Sequence, residues 1–171
     1  MSYLIITDLL KSPGALELSE TATPDHRAPI QAELLEAVIL AANTSAWAAD
    51  EIAIAMEAVA VINDAMRVVA QLIDGYLRPR YSLPLASIPA YLSDVETKLV
   101  RYRLHRHLTR GAAQQHPVIR DYDDAMKMLR DIAAGKLSLG IDDPNINAAG
   151  LGGAVEFVSR PSVFANALGR I

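Results

Sequence analysis

The chain has 171 residues, a formal net charge of -4 at pH 7 and no cysteine, and it is 51% hydrophobic but only 5% aromatic. That length suits one domain with a tail, and an apolar content rich in Ala suits close-packed helices better than a β-sandwich. The missing cysteine excludes disulfides, thiolate metal sites and cysteine nucleophiles, and the acidic balance argues against a protein that coats DNA generally.

Residues Met1 to Asp8 carry no basic stretch and no small-residue cleavage site, so no signal peptide is predicted. The richest apolar run, from Ile52 to Ile73, is interrupted by Glu57, Asp64, Arg67 and Gln71. That is not the pattern of a membrane span, and a soluble intracellular domain is expected. Thr7-Asp8-Leu9-Leu10 reads as a short turn capped by Thr7 or Asp8 and ended by Pro13-Gly14, and residues 19–29 read as a polar loop. Pro29 suits a first helical position. Ile30, Leu34, Val38 and Ala41 then predict an amphipathic helix over 29–43. Trp47 reads as an apolar plug at the junction that follows.

The longest helix is predicted from the stripe Ile52, Met56, Val59, Ile62, Met66, Val69 and Ile73. Its opposite face offers the pairs Asp64–Arg67 and Asp74–Arg78, each worth only about 0.2–0.5 kcal/mol. Ala53, Ala60, Ala65 and Ala70 leave flanks smooth enough for another helix to approach. An elbow comes next, Asp74-Gly75-Tyr76-Leu77-Arg78-Pro79-Arg80-Tyr81-Ser82-Leu83-Pro84-Leu85. Pro79 disfavours helical geometry at Arg78, so the helix should end near Leu77. Pro84 and Pro89 should hold the connection extended, and Arg78 and Arg80 should project two charges from the corner. Either this is an ordinary turn between helices, or it is a contact feature.

A third helix begun by Pro89 has the stripe Ile88, Leu92, Val95, Leu99 and Tyr102, and should end at Gly111. Its second half gathers Lys98, Arg101, Arg103, Arg106 and Arg110, five of the chain's 16 basic residues, with His105 and His107 among them. At about 100° per residue these side chains surround the helix. They are either a solvated face balanced by nearby carboxylates or a surface for phosphate or an acidic partner. Two histidines spaced by two residues do not make a metal pair, and no metal or cofactor is predicted. His116-Pro117 starts a fourth helix with the stripe Tyr122, Ala125 or Met126, Leu129 and Ile132, stopped by Gly135. Asp121, Asp123 and Asp124 in its early turns suit the helix dipole.

From Gly140 the chain becomes turn-rich, and a tail follows that holds both phenylalanines, Phe157 and Phe164. Such content is unusual for a disordered segment. The tail should pack on its own domain or on a partner, with Phe157, Arg160, Val163 and Phe164 as contacts. The reading is an all-α fold: a small bundle of about four to five helices over 1–140, with a linker and extended tail over 141–171. No phosphate loop, nucleophile elbow or catalytic triad spacing is present, so no enzyme is predicted.

The elbow residues Ile73-Asp74-Gly75-Tyr76-Leu77 and Arg80-Tyr81-Ser82-Leu83-Pro84-Leu85 resemble the core motif of the Mu-like phage head–tail connector, or neck adaptor, proteins. Ile88-Pro89-Ala90-Tyr91-Leu92, Arg101-Tyr102-Arg103-Leu104-His105 and Tyr122-Asp123-Asp124-Ala125 match in the same order. So do Ile132 to Gly140, through Gly135-Lys136-Leu137-Ser138-Leu139-Gly140, and Arg160-Pro161-Ser162-Val163-Phe164. Residues 19–57 depart from the pattern. The resemblance implies a virion protein of the neck, assembled in the host cytoplasm. It would form a homo-oligomeric ring, commonly twelve-fold, between the portal protein and the next neck or tail-completion protein, with genomic DNA passing through the lumen. Its motif residues here are Asp74, Tyr76, Arg78, Arg80, Tyr81 and Pro84. The alternative is a nucleic-acid-binding module that uses 98–110 as its contact surface.

Overall fold

A computed structural model describes residues 2–24, 26–105 and 116–141, and within them the fold is all-α. Among the described residues six α-helices occur in chain order: α1 Ile6–Leu9, α2 Ala15–Ala22, α3 Ala32–Ile39, α4 Ala49–Leu77, α5 Ala90–Leu104 and α6 Pro117–Ala133, with a kinked π-type segment at Leu10–Gly14 joining α1 to α2. Helix α4 is the axis of the fold. It packs against α3, α5 and α6, while α5 also packs on α6 and α2 on α3.

The helix ends follow local chemistry. The Ala48 N–H at the start of α4 donates to Glu51 Oε2 at 3.1 Å, the return half of a capping box. Pro117 opens α6, where His116 Nδ1 accepts from the Val118 N–H at 3.3 Å. Gly135 has φ +78, and its N–H donates to the Ile132 carbonyl while that of Lys136 donates to Asp131. This is a Schellman stop, in which glycine takes the left-handed position without a Cβ penalty.

The core runs along one face of α4 through Ile62, Met66, Val69, Ile73 and Leu77. It meets Leu92, Val95 and Leu99 of α5 and Ala125, Leu129 and Ile132 of α6. Those predicted stripes hold, with exceptions. Met56 is 60% exposed, because Ala55 and Ala58 carry the buried face at the start of α4. Ile88 is also exposed and lies outside α5.

The N-terminal third departs further from expectation. The polar loop predicted over 19–29 starts later than expected: residues 19–22 are the second half of α2, with Leu18, Ser19 and Ala22 buried, and the described residues from Thr23 to Pro29 are non-helical. The hydroxyls of α2 bond back to the preceding turn: Ser19 to the Leu16 carbonyl at 2.8 Å and Thr21 to that of Glu17 at 2.7 Å. Satisfied in this way, they tolerate a helix. The Thr7–Leu10 turn is helical over Ile6–Leu9, but Asp8 acts from inside it, accepting the Ile5 N–H. The helix predicted over 29–43 is shorter, Ala32–Ile39. It ends because Ala41 adopts φ +51 and the Ala42 N–H bonds to the Ala37 carbonyl. Trp47 folds back across this connection, where its indole N–H donates to Gln31 Oε1 at 3.2 Å.

Candidate functional site

The elbow and the 135–140 segment, more than fifty residues apart in sequence, form one corner. Pro79 ends α4, and the Arg80 and Tyr81 N–H groups both return to the Leu77 carbonyl at 2.9 Å. This tight turn drives Tyr81 into the core, where it is 4% exposed. Its hydroxyl accepts the Leu139 N–H at 3.0 Å, and Leu139 is itself buried. Tyr91 on α5 reaches the Ser138 carbonyl at 3.4 Å.

Arg80 turns inward rather than projecting from the corner as expected. Its Nη1 donates to the Ile132 carbonyl at 2.9 Å, a cation at the negative end of α6. The guanidinium lies so close to Gly135 that a Cβ there would sit 3.1 Å from Nη1. Glycine is favoured at this position by its positive φ, and a Cβ there would push the arginine above it aside by a few tenths of an ångström. Arg78 stays exposed, Tyr76 is half-buried and Pro84 is exposed. The Leu83–Pro84 peptide is cis.

Residues 2–4 clamp the other side of the elbow. Tyr3 is buried, and its hydroxyl donates to Asp74 Oδ1. Burial and this carboxylate together push the Tyr3 phenol well above its ordinary range. The Tyr3 N–H and the Ser2 hydroxyl both donate to Glu96, at 2.6 and 2.9 Å, and Ser93 Oγ donates to the Tyr3 carbonyl. Glu96 is fully buried on α5. Burial raises its pKa, outweighing the hydrogen bonds from Ser2, Tyr3 and Leu4 that lower it.

The basic end of α5 is mostly neutralised within the described residues. Arg101 grips Glu17 of α2 through Nε and through Nη2 at 2.8 Å, and reaches Asp121 of α6 at 3.4 Å. His105 Nε2 lies 2.8 Å from Glu17 Oε1. Burial pushes the Glu17 carboxyl up, but hydrogen bonds from Arg101 and His105 outweigh it and hold the group below its usual range. Lys98 pairs with Asp94 at 2.7 Å, and Asp64–Arg67 forms as expected at 2.6 Å. Arg103 is exposed, and Tyr102 stacks on Tyr122 with centroids 4.0 Å apart. Arg106 and Arg110 lie outside the described residues, as do the contacts expected at Phe157, Arg160, Val163 and Phe164.

Sequence reasoning missed Glu17 and Glu96. Glu17 fell in the unassigned stretch between Gly14 and the predicted loop, although Leu18 and Ala22 are spaced by four residues. Glu96 occupies a buried position between Leu92 and Leu99 that an apolar stripe leaves unmarked.

Among the described residues no group of three or more His, Cys, Asp or Glu side chains could hold a metal ion. No described helix is long and apolar enough to cross a membrane.

The fold and its corner define a small all-α domain in which two separated motifs lock one inter-helix junction. A family model described as Bacteriophage Mu, Gp36 matches residues 3–156, and the chain belongs to that family. It is therefore a protein of Mu-like phage type, as the elbow and 135–140 motifs predicted. The Mu-like prophage FluMu protein gp36 of Haemophilus influenzae is 33% identical over 96 residues. That match covers 56% of this chain and 64% of the relative, so it spans somewhat less than two thirds of the relative's length.

Proposed function

We propose that this chain is a virion structural protein, a head–tail connector of the phage neck with no catalytic activity and no cofactor. Its copies form a ring, dodecameric where the portal is twelve-fold, that joins the portal protein to the next neck or tail-completion protein. Genomic DNA passes through the lumen. The observation that carries the reading is the locked corner: Arg80 and Tyr81 fasten the elbow to Ile132 and Leu139. They thereby fix the angle between α4 and the segment that leads to the tail. A ring needs such a fixed angle, because a small error at each subunit accumulates around the circle.

The net charge of -4 fits a lumen that does not hold DNA, since attraction to phosphate dominates nonspecific binding. The tail residues Phe157, Arg160, Val163 and Phe164 anchor on the portal, so removal of 154–171 should abolish portal binding. The pairing of Arg101 and Lys98 with Glu17, Asp121 and Asp94 weighs against 98–110 as a nucleic-acid contact surface.

Immunogold labelling of purified virions tests the assignment. Label confined to the head–tail junction supports it. Absence of the protein from virions, with salt-dependent DNA retardation lost on Arg103 and Arg106 substitution, favours the nucleic-acid reading instead.

A further inference from the structure

The outer side of the elbow carries a hollow of about 320 Å³ whose walls include Tyr3, Asp74, Leu83, Pro84, Leu85 and Ile88. Ile88 is 47% exposed, an apolar side chain held at the surface beside two half-buried leucines. Pro84 and Leu85 also line a second hollow of about 420 Å³, whose other walls include Gly140 and Ile141. The described chain thus leaves at Ile141 beside the same Leu83–Pro84–Leu85 ridge. Thirty residues follow it.

The hollow has a definite chemistry. Four of its lining residues, Leu83, Pro84, Leu85 and Ile88, are aliphatic or prolyl, and Asp74 adds one carboxylate, hydrogen-bonded by Tyr3 and of a kind that accepts from more than one donor. The complementary ligand is a peptide with one cation followed by apolar side chains. The sequence beyond Ile141 holds such a run, Arg160-Pro161-Ser162-Val163-Phe164. The eighteen residues 142–159 span up to about 60 Å when extended, ample for return to an adjoining hollow. A tethered segment also meets its own domain at millimolar effective concentration.

We infer that the segment 160–164 docks on the elbow ridge of its own chain, with Arg160 toward Asp74 and with Val163 and Phe164 against Leu83, Leu85 and Ile88. The docked segment is occluded in the free protein, so any partner that uses Phe164 must first displace it. The docking concerns the protein alone and stands whether or not the portal assignment does.

The test is photo-crosslinking of the full-length chain with p-benzoylphenylalanine in place of Phe164, mapped by mass spectrometry. The expected major product joins position 164 to residues 83–88, and its yield falls about fivefold with Ile88→Glu or with Arg160→Glu. Leu16→Glu, at a residue 65% exposed elsewhere on the surface, should leave the yield unchanged. Ile88→Ala serves as the milder variant if the glutamate disturbs helicity. Crosslinks at unrelated sites, or a yield indifferent to both Ile88 variants, would overturn the docking. Irradiating mixed ¹⁵N-labelled and unlabelled chains should give only isotopically uniform products. Mixed products would overturn the same-chain assignment and place the segment on a second copy.

Discussion

Tyr81→Phe isolates the hydrogen bond that closes the corner. The substitution keeps the ring, its packing in the core and the Arg80 guanidinium 5.7 Å from its centroid. It removes only the hydroxyl that accepts the Leu139 N–H at 3.0 Å. Tyr81 and Leu139 are each only 4% exposed, so water cannot readily replace the oxygen. The loss is then more than the net worth of one neutral hydrogen bond, because a buried donor is left unsatisfied, and the expected cost is about 2 kcal/mol. With a urea m-value of about 2 kcal/mol/M the midpoint should fall by about 1 M. Hydrogen exchange at the Leu139 amide should accelerate more than exchange in the middle of α4. A midpoint unchanged within error, with Leu139 still protected, would refute the claim that this bond fastens the elbow to the 135–140 segment.

Other substitutions probe the same physics elsewhere. Gly135→Ala should cost about 1–2 kcal/mol from its left-handed backbone alone, and more because the new Cβ meets Arg80; a neutral effect on thermal midpoint would contradict the packing described. Ala41→Gly should run the other way and stabilise the chain by about 1 kcal/mol, since Ala41 already holds φ +51; a lower midpoint in thermal unfolding would show that this stop does not form. Because the Glu17 carboxyl is held below its ordinary value of 4.5 in the folded chain, its contribution is present above that pH and is lost as pH falls through the lower folded value. Glu17→Gln should therefore flatten the acid limb of the stability profile below about pH 4.5, and an unchanged limb would argue against the Arg101–Glu17–His105 cluster. Glu96 has the opposite sign. Its raised folded value means that stability declines as pH rises from 4.5 through that value, and urea midpoints for Glu96→Gln should lose this decline.

The parts of the fold that were legible in the sequence are those governed by repetition and by proline. The stripe through Ile62, Met66, Val69 and Ile73 located the buried face of α4 because larger apolar side chains define it. Pro79 and Pro117 located a helix end and a helix start because each forbids an alternative. The start of α4 was misread where alanines replaced larger residues on the buried face, since Ala55 and Ala58 differ from Ala53 and Ala60 only in direction. The end of α3 was invisible for a related reason. Ala41 occupies a position that sequence reasoning reserves for glycine or asparagine.

At the corner, sequence matching identified the two motifs but could not join them. Which residue Tyr81 meets is a tertiary fact, and nothing near Leu139 announces it. The inward turn of Arg80 was misjudged because an arginine beside a proline reads as exposed charge until a helix C-terminus is found opposite it. For Arg101, balancing carboxylates were among the readings, but which ones could not be named, because Glu17 and Asp121 come from two other helices.

The measurement that tests the connector assignment most directly is mass in solution, by light scattering after size exclusion, of the full-length chain alone and mixed with its cognate portal protein. The account predicts that the chain, as a monomer or as a ring, joins the portal in one large particle. A chain that elutes apart from the portal at every ratio, and that retards DNA at low salt, would contradict it.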